Sequence, residues 1–438
     1  MEWFVGRCRF PDVDGNRAGQ SFNVDSFFVR YGFILNIGRG KTMKLHVRLM
    51  VGVASMAVVG VWGCSNDTTI AESQSTSPTE TDGRIVSAPQ GASRVPDHYV
   101  VVLKADADVN GVLRRLNRSH GVNADLTYTS SIRGFSASIP PGLVKKILDD
   151  ESVVRIEEDF IISVNPVEAD ARPPKGGGGT TRITPERTPW GVVAVAGGRD
   201  ATGKVAWIID SGIDPNHPDL NVDASRSKNF VTGRKSTWVD GNGHGTHVAG
   251  TVGAKADGYD VVGVAPNATL VAVRVLDNQG SGQYSWVIGG VDWVAANGNT
   301  GDVANMSLTG PGYPALDAAV ASASSNGITF VLAAGNDGKD VVSVSPARQN
   351  GPYILTVSAH DINNNWAYFS NFGAPVDWAA PGVNVESTKR GGGVTTMSGT
   401  SMAAPHVAGI VLVGELVNRG YVTGDRDSWT DPLAKLAP

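Results

Sequence analysis

The chain has 438 residues, 41% of them hydrophobic, and a formal net charge of −5. That length can bury a large core in two or three domains, which excludes a wholly disordered chain, and the lack of any lysine and arginine block gives no sign of a nucleic-acid partner or an anionic membrane. The two cysteines, Cys8 and Cys64, both precede residue 65, so whatever folds beyond them has neither a disulfide nor a cysteine-based metal site.

From Met43 the chain reads "MKLHVRLMVGVASMAVVGVWGC". Lys44 and Arg48 supply a basic start, and the apolar run that follows falls short of the roughly 20 residues a spanning helix needs. Cys64 then stands after the small residue Gly63. This is the pattern of a secretory signal over 43–64. "VWGC" also resembles the processing box of bacterial lipoproteins, in which the cysteine is lipidated, although Trp62 is bulkier than that box usually carries. The alternative is an ordinary signal peptide whose cysteine is incidental. Residues 1–42 lie upstream of the signal as an extension with no use in export, so synthesis is expected to start at Met43, and mass analysis of the precursor is expected to find no trace of them.

Residues 65–96 are rich in Ser and Thr with almost nothing to pack, and read as a flexible tether. Order begins at residue 97. "HYVVVLKA" alternates as a strand, "DVNGVLRRLNRSHG" has helical spacing with Asp108 as N-cap, "ADLTYTSS" and "RGFSASIP" read as strands, "PGLVKKILDD" as a short helix and "SVVRIEEDFIISV" as a closing strand. The order βαββαβ over 97–165 is that of a small ferredoxin-like α+β domain. Residues 166–186, with paired prolines and four consecutive glycines, form an exposed linker.

Over 187–425 short apolar runs alternate with helical stretches: "KVAWIID", "TLVAVRVL", "DVANMSL", "GITFVLAA" and "YILTVSA" as strands, "YSWVIGGVDWVAANG" and "ALDAAVASASSNG" as helices. This is the texture of an α/β domain with a parallel sheet covered on both faces, in which chemistry gathers beyond the carboxyl ends of the strands. "VAWIIDSGID" places Asp210 at such an end. Alone it reads as a turn aspartate, or as half of an aspartic-protease loop pair, but no second D-[ST]-G occurs. "DGNGHGTHVAGTVGA" sets His244 and His247 at the start of a small-residue helix; H-x-x-H lacks the glutamate of the zinc helix motif, and either histidine could pair with Asp210. In "GTSMAAPHVAG" Ser401 stands at a helix N-terminus among small residues, ahead of "IVLVGELVNRG", which continues the helix. The plain reading is a capping serine; the sharper one is a nucleophile whose own N–H and the positive helix end can meet an oxyanion. Pro405 loosens the first turn.

"IIDSGID", "GHGTHVAGT", "NMSL", "AAGND" and "SGTSMAAPHVAG", in this order, resemble the subtilisin family of serine proteases (peptidase family S8), and "TPWGVVAV" and "SPA" most resemble its proteinase K branch. Residues 97–165 resemble the family's propeptide inhibitor through "RGFSASIP" and "VVRIEED". The resemblance implies Ser401 as nucleophile, His244 as its base, Asp210 as the residue that orients His244, and Asn336 as oxyanion donor. It leaves His247 and His406 structural, and implies substrate contacts along Ser307, Leu308, Thr309 and Gly310 and at Ala334 and Gly335. Thr309 stands where the family usually has glycine and would crowd the bound peptide. Pro352, Ile354 and Asp377 fall where the proteinase K branch holds structural calcium; no cofactor is implied for the chemistry. The whole reads as a self-processing zymogen, exported as a monomer to the extracellular space, periplasm or cell envelope. It would act on proteins or peptides, be inhibited by its own propeptide and be anchored through Cys64 if that residue is lipidated. A catalytically silent peptide-binding protein and a peptide macrocyclase are the alternatives.

Overall fold

The computed structural model describes residues 28–37, 41–50, 83–164, 184–233 and 237–438. The signal beyond residue 50, Cys64, the tether up to residue 82 and the linker over 165–183 lie outside the described residues. Strands β1 (Phe28–Ile37) and β2 (Lys41–Met50) form an antiparallel hairpin that is a unit by itself.

The small domain follows the expected order. Strand β3 (Arg94–Leu103), helix α1 (Val109–His120), strands β4 (Leu126–Tyr128) and β5 (Gly134–Ser138), helix α2 (Pro141–Leu148) and strand β6 (Val153–Ser163) pair in the sheet order β6-β3-β5-β4. Val109, Val112 and Leu116, three and four apart, put one stripe of α1 onto the sheet. Asp108 holds the N-cap position of α1 but makes no cap hydrogen bond; its carboxylate lies 3.5 Å from Arg114 Nη2. The helix stops at Gly121, whose φ of 72° is the left-handed conformation that ends helices.

The large domain is built on a sheet of nine strands among the described residues, and its strands and helices enter in this order. They are β7 (Val205–Asp210), β8 (Lys228–Asn229), α3 (His244–Gly253), β9 (Thr269–Arg274), β10 (Ser281–Gln283), α4 (Tyr284–Asn297), β11 (Val303–Met306), α5 (Pro314–Ser324), β12 (Thr329–Ala333), β13 (Ile354–His360), β14 (Trp378–Pro381), α6 (Thr400–Val413), β15 (Leu416–Tyr421) and β16 (Pro432–Leu436). Across the sheet the strands run β15-β16-β14-β13-β12-β11-β7-β9-β8, all neighbours parallel except β15 with β16. β10 lies off this sheet and pairs with β6.

Alternation along β7 shows how the two faces are filled. Ala206 and Ile208 join a core with α3 and α6, while Trp207 and Ile209 join the opposite core with α4 and α5. Central strands buried on both sides need apolar residues at every position, which is why their sequences read as continuous runs.

One expectation is overturned at the C-terminus. "IVLVGELVNRG" continues the helix only through its first four residues: α6 ends at Val413, and β15 begins two residues after Gly414. Gly414 is extended, with φ 178°, so the chain leaves the helix and returns antiparallel against β16. A strand partner far along the chain outweighs a local helical pattern here. Ser358 on β13 donates to the buried Asp431 carboxyl just before β16, tying this hairpin to the sheet. Among the described residues no helix is long and apolar enough to cross a membrane.

Ile208 is fully buried on the central strand. Ile208→Ala, made in a Ser401→Ala background so that self-cleavage cannot interfere, is expected to destabilise the fold by about 2–5 kcal/mol, read as a lower urea midpoint at unchanged m value.

Candidate active site

Asp210 ends β7 at the carboxyl edge of the sheet, wholly buried. A buried carboxylate is tolerable only when donors surround it. Here Ser211 N–H donates to Oδ1 at 2.7 Å, and His244 Nδ1–H donates to Oδ1 at 2.8 Å and Oδ2 at 2.9 Å. His244 is the first residue of α3 and is itself buried. Burial pushes its imidazolium down, but the charge and hydrogen bond of Asp210, with Asp240 beyond, outweigh this and hold His244 above the ordinary histidine value of 6.5. Its Nε2 is buried and has no partner.

Asp240 is a residue the sequence reading missed. Its Oδ1 accepts from Ser211 Oγ, Asn242 N–H and Gly243 N–H, and its Oδ2 from Thr246 N–H and Oγ1, at 2.6–3.0 Å. One carboxylate thus caps the N-terminus of α3 and ties the helix to the Asp210 strand, fixing where His244 points. The available signal was an aspartate four residues before His244 in "VDGNGHGTH".

Ser401 is the second residue of α6 and only 5% exposed. Pro405 lies four residues on, where a helical N–H would otherwise bond the Ser401 carbonyl. That carbonyl instead accepts Ser307 Oγ at 2.8 Å, while Ser401 Oγ donates to Ser307 O at 3.1 Å. So Pro405 frees the oxygen that locks Ser401 to the segment after β11, a more specific effect than the loosening expected. Ser401 Oγ points to Ser307 O, and no hydrogen bond joins it to His244 Nε2. Asn336 follows β12, and its Oδ1 accepts from Thr400 N–H at 2.8 Å and Thr400 Oγ1 at 2.9 Å, which holds its amide beside the tip of α6. The hydrogen bonds thus join Asp210 to His244 and Asn336 to the tip of the helix that carries Ser401.

The segments expected to touch substrate flank this centre. The Leu308 side chain is buried in the core, so only its backbone can face a ligand; Thr309 and Gly310 are half-buried. Gly310 has to be glycine, because a Cβ there would sit 2.3 Å from Tyr284 Oη. Ala334 is fully buried, its carbonyl accepting Asn371 Nδ2 at 2.9 Å, and Gly335 N–H donates to Thr400 Oγ1 at 3.0 Å.

The small domain lies over one side of the centre. Ile161, Ile162 and Ser163 of β6 pair antiparallel with Gln283, Gly282 and Ser281 of β10, and Val164 N–H donates to Gly280 O at 2.9 Å. Phe160 enters an aromatic cluster, its ring centroid 4.6 Å from Tyr284 and 5.3 Å from Tyr313. Three carboxylates complete the contact. Glu157 accepts from Ala315 N–H at the start of α5, Asp159 from Ser285 N–H at the start of α4, and Asp292 of α4 from the N–H groups of Thr129, Ser130 and Ser131.

His247 and His406 stand apart from the centre. His247 donates through Nε2 to Val385 O and is pushed down to about 3 by burial and then by His244. His406 donates through Nδ1 to Met402 O and is pushed down to about 4 by burial. Both are neutral packing groups at ordinary pH. Asp377, at the expected calcium position, accepts Thr356 N–H through Oδ2 at 2.8 Å, and burial pushes its carboxyl up to about 6.

A buried aspartate, a histidine clasped to it and a serine at the tip of a helix, all beyond the carboxyl edge of a parallel sheet, define a serine hydrolase of α/β architecture. The profile of the subtilase family matches residues 202–416. The chain is 41% identical over 301 residues to alkaline serine exoprotease A of Vibrio alginolyticus, covering 68% of this chain and 54% of that protein. It is 42% identical over 282 residues to subtilisin NAT of Bacillus subtilis subsp. natto, covering 64% of this chain and 69% of that one. A crystal structure of a cold-adapted subtilisin-like serine proteinase, 37% identical, covers 56% of this chain and 97% of its own at a TM-score of 0.50. The chain belongs to the subtilase family.

Replacing Asp210 by asparagine removes the nearer charge that lifts His244 and leaves only the more distant Asp240 against burial. In Asp210→Asn the His244 imidazole is expected to titrate at least about one unit lower, measured by NMR of the ring resonances.

Proposed function

We propose that this chain is the precursor of an exported serine endopeptidase that releases itself by cutting its own linker. The observation that carries the reading is the buried His244, fixed through Nδ1 by Asp210 and presenting an unpartnered Nε2 within the fold of a subtilase. Asp210 keeps the Nδ1–H tautomer in place, so the lone pair of Nε2 faces the active centre. Ser401 Oγ attacks the peptide carbonyl carbon while its proton passes to Nε2, and the carbonyl oxygen becomes an oxyanion met by the Ser401 backbone N–H and the Asn336 amide. Collapse breaks the C–N bond, His244 gives the proton to the departing amine, and water repeats the sequence on the acyl-enzyme to release the acid.

The small domain acts in this reading as propeptide, folding aid and inhibitor. Its β6 pairs with the edge strand β10, and its carboxylates meet the free N–H groups at the starts of α4 and α5. The residues after Val164 lead into the linker, so the first substrate is the chain itself, with the cut inside 166–186. Export follows from the signal over 43–64, with lipidation of Cys64 as the anchor and a monomer as the working form. Because Cys64 precedes the cut, release of the small domain frees the large one from that anchor. Calcium at Asp377 would stiffen the loop between β13 and β14 and takes no part in the chemistry.

The full chain is expressed beside Ser401→Ala, with a phosphonyl fluoride added to the wild type, and both are followed by intact mass. The wild type is expected to lose the small domain through a cut in 166–186 and to gain one phosphonyl group at Ser401, while the mutant stays whole; two intact, unlabelled folded proteins would overturn the reading. Asn336→Ala is expected to lower kcat by about 100- to 1,000-fold with KM little changed. The base must be neutral, so kcat/KM is expected to fall as pH is lowered through the raised value of His244, placing the acidic limb of the profile above 6.5.

A further inference from the structure

The carbonyl attacked by Ser401 belongs to the last residue of the acyl half of the substrate, P1, and the Cα of that residue is one bond from the reacting carbon. Its side chain must therefore enter the space beside Ser401. Two segments bound that space: 307–310, held to Ser401 by the reciprocal bonds with Ser307, and 334–336, held to α6 through Thr400. Across it Thr309 faces Gly335. Thr309 Oγ1 lies 3.1 Å from the point where a Cβ on Gly335 would stand, so the threonine side chain already reaches the opposite wall.

Neither wall can give way. Asn371 Nδ2 crowds the same point at 2.4 Å, on the same side of Gly335 as Thr309, and its amide is fixed by donation to Ala334 O at 2.9 Å. Gly335 has φ 106°, which only glycine adopts without strain, and its N–H is held by Thr400 Oγ1. On the other side, branching at Cβ makes the Thr309 side chain stiff about χ1, and its Oγ1 already stands at that wall. A flat aromatic ring or a branched aliphatic chain needs the width that these atoms fill.

We infer that Thr309 closes the P1 slot to large side chains, so that this enzyme cuts after glycine, alanine or serine in preference to phenylalanine, tyrosine, leucine or methionine. The inference rests on the protease reading above and names the substrate class of that same site.

The test uses the full chain after self-processing and a blocked Ala-Ala-Pro-X p-nitroanilide series, with X alanine, leucine or phenylalanine. For the wild type, kcat/KM is expected to favour alanine over phenylalanine by about 10-fold or more, since steric and packing differences in a pocket are worth roughly 10–200-fold. Thr309→Gly is expected to reverse that order, and Thr309→Ala, which keeps the Cβ and loses the branch, to give an intermediate ratio. If Thr309→Gly does not mature, the ratio from Thr309→Ala decides. A wild type that is phosphonylated at Ser401 and cuts after phenylalanine as well as after alanine overturns the inference alone, as does a ratio that neither variant moves. Absence of both cleavage and labelling overturns the protease reading and this inference with it.

Discussion

The burial of the Asp210 charge is the constraint from which the rest of the centre follows. A carboxylate at the end of a central strand, out of reach of water, has to be met by donors held in place, and the chain supplies Ser211 N–H and His244 Nδ1–H. Holding His244 there requires that α3 start at one position and no other, which is the task of Asp240 with its five donors. Satisfied on one side by carboxylate, the imidazole keeps its second nitrogen buried and without a partner. Ser401 stands on a different helix, and Pro405 gives that helix a free carbonyl with which to grip Ser307.

The contact between the two domains uses the same physics in a different setting. Helix starts carry unpaired N–H groups and a partial positive charge. Those of α4 and α5 are met by Asp159 and Glu157 of β6, and the turn at Thr129–Ser131 is met in return by Asp292 of α4. These are directional bonds at buried positions, and around them Phe160 packs between Tyr284 and Tyr313. Polar bonds and aromatic burial thus act together at this contact.

Much of this was legible beforehand. Apolar runs marked the central strands because burial on both faces demands it, and the βαββαβ order of the small domain appeared in its period changes. Asp210, His244, Asn336 and Ser401 were singled out through the resemblance of their motifs, since spacing alone did not choose between His244 and His247, and of these the hydrogen bonds join Asp210 to His244. Other features depend on partners distant in the chain. Gly414 ends α6 where the pattern runs on, because Leu416–Tyr421 finds a strand more than ten residues away. Asp108 sits at a cap position with its side chain turned elsewhere, toward Arg114. Asp240 looks like any turn aspartate until five donors converge on it, and Ser307 acquires its second role only because a proline lies four residues beyond Ser401.

The pairing of β6 with β10 is made through main-chain groups, which every extended peptide carries. A strand joined covalently to its own acceptor competes at an effective concentration of the order of mM, far above that of any free substrate. Once the joining chain is severed, the same contact becomes an encounter between two molecules, and its occupancy is set by the volume they share. If the chain is exported and cut as proposed, the surroundings would then act as the activator: dilution alone would shift the competition from the departing strand to whatever polypeptide is more abundant outside.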